Sequence, residues 1–457
     1  MSHHLISRRQ MLAGTAAAGA VGLAGFPARA EVNWKKYSGT SLEVSLAKGP
    51  RGDNLQKYIK EFTELTGVKV ESEQVPEQQQ RQKCVIELSS GKPSFDVVHL
   101  SYHVQKRQFE KAGWLADMSG FLKDPSLTLP DLVESDFSAA GLQYARNDKG
   151  QMLSLPWSVD YFILYYNKDL FQKKGVEVPK TLDEMAVAAE KLTDPKEGVY
   201  GFVGRGLRNA NMAMWSNFYL NYGGEFLDAK GNILSDGPEA IEATKLYQRL
   251  LTKCAPPGVA GFNWMESMAS FTQGRAAMWI DATVAASFVT NPAQSTVAGK
   301  VGFALAPNTG LGKNANWLWA WSLAIPAGSK KVDAAEKFIA WATSKDYSKL
   351  VASKEGWSNV PPGTRTSLYQ NPEYLKAAPF AKMTLASIDA ADPSHPTVKP
   401  VPYVGVQYAA IPEFQGIGTA VGQQFSAALS GSSTVDAALA AAQSSTEREM
   451  KRAGYIK

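Results

Sequence analysis

At 457 residues, 44% of them apolar and 20% charged, the chain is long enough for two domains and too apolar to be disordered or fibrous. Its formal charge of +5 is dispersed, with no dense Lys/Arg block, which argues against a nucleic-acid binder.

The first thirty residues read as an export signal. Arg8-Arg9 precedes a mildly apolar Gly/Ala-rich run from Met11 to Phe26, and Ala28-Arg29-Ala30 offers small-x-small cleavage. The paired arginines resemble a twin-arginine signal, used for proteins that fold before export. A Sec signal or a membrane anchor is the alternative, and an anchor needs roughly 20 strongly apolar residues. Cleavage after Ala30 removes three arginines and no acid, so the charge falls from +5 to +2. The signal implies a periplasmic protein. Cys84 and Cys254 are expected as two separate buried thiols.

After the signal, strands alternate with helices. Ser41–Ala47 alternates like a strand, and a helix with apolar Leu55, Ile59, Phe62 and Leu65 stops at Gly67. Val68–Glu71 is a strand, Gln78–Leu88 a helix, and Phe95–Leu100 a strand apolar enough for a buried parallel sheet. A second set begins with a strand at Tyr161–Tyr166. Thr181 and Glu184 form a capping box for a helix to about Leu192. Tyr200–Val203 is a strand, helices are expected at Pro238–Leu251 and Asn263–Gln273, and strands at Ala277–Ile280, Val301–Ala304 and Trp317–Pro326. Val332–Thr343 and most of the last third are helical. The order argues for an α/β protein.

Four segments resemble family 1 extracellular solute-binding proteins, the group of maltose-binding protein and many sugar and polyol receptors. They are Leu155-Pro156-Trp157 running into Tyr166-Asn167-Lys168-Asp169-Leu170-Phe171, then Phe271–Asp281, then Leu323–Ser329 with the helix beyond it, and Ala428–Gly431 with Val435–Leu439. Pro256-Pro257-Gly258, Met278–Ala285, Asn316–Trp321 and Val360–Arg365 are most similar to the sorbitol and mannitol receptors of that family. The resemblance implies a two-lobed α/β periplasmic-binding-protein fold with interleaved lobes and a hinge of several crossovers. Lobe 1 is expected at about 31–157 and 282–345, lobe 2 at about 158–281 and 346–457. It implies capture of a sugar alcohol between the lobes, hinge closure, and delivery by a monomer to the permease of an ABC importer. No cofactor, metal or nucleic acid is expected.

A polyol site needs carboxylates, amides and Arg for hydroxyls and aromatic rings for C–H faces, gathered beyond the C-terminal ends of strands. Asp53 follows the first strand, where a helix N-cap is its other role. Glu77 and Arg81 follow the second, four apart on one helix face, which also suits a surface pair. Tyr102 follows the third. His99 and His103 have metal-like spacing, but a strand-to-turn setting with no third ligand does not make a metal site. Trp157 and Asp160 stand at the first crossover, with packing of Trp157 as the alternative. Arg208 and Trp215 surround a helix start. Asp281 ends an apolar strand. Trp317, Trp319 and Trp321 share a strand face, with Trp317 and Trp319 nearer the loop and Trp321 assigned to the core. Arg365 follows a Pro-Pro-Gly turn.

The chain carries no nucleophile elbow, His-Glu-x-x-His, Cys-x-x-Cys or phosphate loop, so no enzyme class is indicated. The rivals are a receptor for a cyclic mono- or oligosaccharide and an exported glycoside hydrolase, in which Asp160 and Asp281 would face each other as paired carboxylates.

Overall fold

A computed structural model describes residues 32–228, 236–311, 318–360, 362–405 and 408–456, with the side chains of 102–104 outside the described set. Among the described residues there are seven strands: β1 (Ser41–Ala47), β2 (Lys69–Val75), β3 (Val97–Leu100), β4 (Leu155–Asn167), β5 (Met278–Ala282), β6 (Val301–Leu305) and β7 (Leu318–Ala324). Their order is β2-β1-β3-β7-β4-β5, and β6 pairs with β4 as well. Three parallel strands, β2, β1 and β3, join an antiparallel pair, β7 and the first part of β4. The second part of β4 pairs with β5 and β6.

The first half of the molecule is built from β-α units whose strands pair in parallel. Helix α1 (Pro50–Thr66) buries Leu55, Tyr58, Ile59 and Phe62, spaced as one helical stripe. Phe62 packs edge-on against Phe338 with ring centroids 5.1 Å apart, and burying such a ring stabilises the fold by roughly 1.5–3 kcal/mol. Helix α2 (Glu77–Ser89) and helix α3 (Tyr102–Ala112) follow β2 and β3, so the starts of all three helices converge beyond the C-terminal ends of the parallel strands. α1 starts three residues before Asp53, at Pro50, because Gly49 takes a φ of 147° that a side chain rarely adopts. Gly52 then presses on β1: a Cβ there would lie 2.4 Å from the Ala47 carbonyl oxygen.

The other half packs the helices Asn211–Asn221, Pro238–Lys253, Phe414–Leu429 and Val435–Arg452 around an aromatic cluster. Trp215 stacks on Tyr219 at 4.6 Å and meets Phe425 at 4.5 Å. The Thr181–Glu184 capping box is present, and its helix spans Leu182–Leu192. Cys84 and Cys254 are free and buried, and burial pushes the Cys84 thiol up to about 12. Among the described residues no helix is long and apolar enough to cross a membrane.

Strand pairing corrects one expectation. Tyr200–Val203 forms only isolated parallel bridges, Tyr200 to Ala276 and Val203 to Trp279, because its partners lie along the strand leading into β5. β6, expected in lobe 1, hydrogen-bonds to the half of β4 that carries β5. The helix Lys345–Glu355, expected in lobe 2, holds α1, since Lys57 and Tyr58 both bond Glu355.

Candidate ligand-binding cleft

The starts of α1 and α2, the ends of β3 and β5 and the middle of β4 and β7 line a cleft that opens to solvent. Its chemistry is three buried Arg–carboxylate pairs and a run of tryptophans.

Asp160 is the central carboxylate. It lies on β4 where the strand leaves one sheet for the other, opposite Trp319 on β7. Arg51 Nη2 donates to its Oδ1 at 2.7 Å, the Val284 N–H at 3.1 Å and the Thr283 hydroxyl at 3.3 Å. Burial raises the Asp160 carboxyl's pKa, and Arg51 with these donors holds the rise in check. Across the cleft, Arg205 grips Asp281 with two parallel bonds, Nε to Oδ2 at 2.9 Å and Nη2 to Oδ1. Desolvation opposes the Arg205 charge, but Asp281 more than compensates, so its pKa rises. The third pair is Arg81 with Glu77. Arg81 also donates to Ser101 Oγ at 3.1 Å and lies over the Trp319 ring, 4.9 Å from its centroid.

Trp319 and Trp321 project from the same face of β7 with centroids 6.3 Å apart, and both line the cleft. Trp264 reaches over from its own helix, Trp264–Thr272, to within 3.5 Å of the position a Cβ on Gly49 would take. Trp157 sits at a β-bulge between Pro156 and Ser158 and turns its ring edge to His99 at 4.9 Å. Lys48 is exposed at the rim. Asn209 carries a left-handed φ of 76° and donates from Nδ2 to Gln78 Oε1 at 3.0 Å, tying its loop to the start of α2.

Of the residues read from sequence, Glu77, Asp160 and Trp319 line the cleft. Arg81, Trp157 and Asp281 stand directly behind that lining. Asp281 is fully buried, with both carboxylate oxygens held by Arg205. Four residues lie elsewhere. Asp53 is exposed on α1, which turns Arg51 inward in its place. Arg208 is exposed and donates to Gln423 Oε1 at 2.8 Å. Trp215 is core, its Nε1–H donating to Thr244 Oγ1 at 2.8 Å. Arg365 braces a separate region, paired with Asp136 at 2.7 Å and bonded to the Asp131 carbonyl oxygen at 2.5 Å. Tyr102 opens α3, its side chain being outside the described set, and Trp317 lies outside the described residues. Trp321, assigned to the core, is half-buried in the cleft wall. Arg51, His99, Arg205 and Trp264 were missed. Arg205 stands two residues past Val203, the end of an expected strand, where the rule that favours residues just past a strand applies. Asp160 and Asp281 do not face each other across open space as a glycosidase pair must; each is spent on its own arginine.

Residues 47–349 match the family of bacterial extracellular solute-binding proteins. The mannitol-binding protein of Pseudomonas aeruginosa is 44% identical over 381 residues, 82% of this chain and 85% of that one. An ABC transporter solute-binding protein from Agrobacterium vitis S4, solved with bound D-mannitol, superposes with a TM-score of 0.86 at 49% identity, covering 92% of this chain and 100% of the other. One from Agrobacterium radiobacter K84, in complex with ribitol, gives 0.81 at 27% identity over 90% and 99%.

Proposed function

The chain belongs to the bacterial extracellular solute-binding protein family, and on that premise we propose that it captures a sugar alcohol of the mannitol type between its lobes. It then delivers the ligand to the membrane subunits of an ABC importer. The protein is a receptor and not an enzyme. The single observation that carries the ligand class is the likeness, at 49% identity over 92% of the chain, to a solved structure holding D-mannitol.

The cleft is chemically suited to that cargo. Of its lining charges, Arg51, Glu77, Asp160 and Arg205 are each matched inside the protein, and Lys48 is exposed to water at the rim, so the buried part of the cleft suits a neutral ligand. Paired Arg and carboxylate groups still have spare donors and lone pairs for hydroxyls. Trp319 and Trp321 offer flat apolar faces to the C–H edges of an extended carbon chain. The binding set we propose is Arg51, Glu77, Asp160, Arg205, Trp264, Trp319 and Trp321, with Arg81 and Asp281 positioning two of them. One lobe is built on β2, β1, β3, β7 and the first half of β4, the other on the second half of β4 with β5 and β6. The working protein is a monomer in the periplasm, exported through the twin-arginine signal and cleaved near Ala30.

Thermal unfolding of residues 31–457 against D-mannitol, D-sorbitol, D-arabitol, ribitol, D-glucose and maltose tests the reading. A true ligand at a hundredfold excess over Kd adds about 2.7 kcal/mol of stability. A rise in Tm with one or more alditols and none with the cyclic sugars is expected. A rise confined to glucose or maltose would replace the polyol with a cyclic sugar.

A further inference from the structure

His99, next to last in β3, lies in the cleft wall at 3% exposure, and neither Nδ1 nor Nε2 has a hydrogen-bond partner among the described residues. Burying a donor and an acceptor with no partner is costly. The ring is nevertheless held firmly. Trp157 meets it edge-on and Trp321 at a tilt, both with centroids 4.9 Å away, and Gln80 bonds its backbone carbonyl. A well-held polar ring with unspent nitrogens, beside the tryptophans of a ligand cleft, is a group whose partners come with the ligand.

We propose that His99 contacts the ligand and selects for uncharged hydroxyls, one accepting from its ring N–H and one donating to its bare ring nitrogen. This rests on the polyol reading and extends it: His99 sets a preference for neutral alditols over acids of the same carbon skeleton.

The electrostatics agree with the geometry. Burial, with the Arg51 charge adding to it, lowers the imidazole's pKa to about 3. The ring is therefore neutral throughout the range in which a periplasmic receptor works, and a neutral imidazole has one donor and one acceptor, as a hydroxyl does. The charged groups around it are Arg51 on α1, Asp160 on β4, Glu77 and Arg81 on α2, and Arg205 opposite, all of them in ion pairs. Lys48 at the rim is exposed, and water screens it. A ligand carboxylate reaching His99 would lose its hydration without gaining a cation there.

The test is isothermal titration calorimetry of wild type, His99→Leu and His99→Gln with D-mannitol, its monodeoxy analogues and D-mannonate, alongside Tm of each unliganded protein. His99→Leu is expected to bind D-mannitol on the order of 10- to 100-fold more weakly while its unliganded Tm holds or rises. His99→Gln, which keeps a donor and an acceptor, recovers part of the affinity and carries the comparison if the leucine variant unfolds early. At least one monodeoxy analogue loses affinity on wild type but not on His99→Leu, a pattern that a purely structural role does not produce. Mannitol affinity in His99→Leu within twofold of wild type, with unchanged ranking of the deoxy analogues, overturns the inference and leaves the polyol reading standing. A wild type that binds no alditol overturns the polyol reading itself.

Discussion

Replacing Asp281 with asparagine changes one atom type and almost no volume, yet it should be among the most damaging substitutions in the cleft. Asp281 is fully buried, Arg205 is 6% exposed, and the carboxylate accepts both guanidinium bonds. Asparagine keeps one acceptor and turns an N–H₂ group toward a guanidinium N–H, leaving a buried cation uncompensated. Breaking a buried pair by removing one partner costs about 3–5 kcal/mol. Unfolding entropy for a chain of this length is about 1 kcal/mol per kelvin, so the unliganded Tm should fall by roughly 3–5 °C. Calorimetry of the ligand-free variant reads this directly. The double variant Arg205→Leu with Asp281→Leu removes both charges, and should recover most of the lost stability while still binding poorly, because Arg205 lines the cleft. If Asp281→Asn melts within 1 °C of wild type but loses ligand affinity, then Asp281 is a direct ligand contact and the positioning role is wrong.

Two other outcomes are expected. Arg208→Ala should leave the Kd for D-mannitol within about twofold, since its side chain is exposed and donates to Gln423 away from the cleft lining; a tenfold loss by titration calorimetry would return it to the site. Glu336, 7% exposed, has its carboxyl raised to about 7 by burial first and then by Asp333 and Asp124. Its folded value lies above the unfolded value of about 4.3, so the native state holds the extra proton between the two, and stability should decline as pH rises through about 7. Glu336→Gln should flatten that decline and raise stability at pH 8 by roughly 1–3 kcal/mol. Identical Tm–pH profiles for the variant and wild type would contradict the assignment.

Local order was legible wherever short-range rules act alone. β1 runs over the residues its alternation marked, and the helix Leu182–Leu192 begins at its capping box. What sequence spacing does not encode is which of several polar residues after a strand turns inward. Asp53 and Arg51 both follow β1. The choice of Arg51 depends on Gly49 starting α1 at Pro50, a backbone event that a Gly-Pro pair hints at without fixing its phase. His99 was weighed only for metal spacing, because neither its burial nor its missing partners can be read from neighbours in the chain. Trp215 looked like a cleft aromatic at a helix start, but that whole helix is buried, and its face is decided by Phe425 and Thr244, distant in sequence. Asp160 and Trp319 were found because the crossover strand and the tryptophan alternation mark the same place from two sides.

β4 is one continuous strand serving two ladders: Leu155 to Tyr161 pair with β7, and Phe162 to Asn167 with β5 and β6. Side chains alternate along regular strand, and the β-bulge of β4 lies back at Pro156/Ser158, so the stretch from Ser158 onward acts as a timing belt between the two halves. Inserting or deleting a single residue at Tyr161-Phe162 would leave each ladder able to re-form, yet set the two half turns out of step. Asp160 and the wall around Asp281 would then present opposite faces to one another. The chain can thus vary freely in the length of its outer loops, whereas the count of residues across this one junction is fixed by the need for both halves to look into the same space.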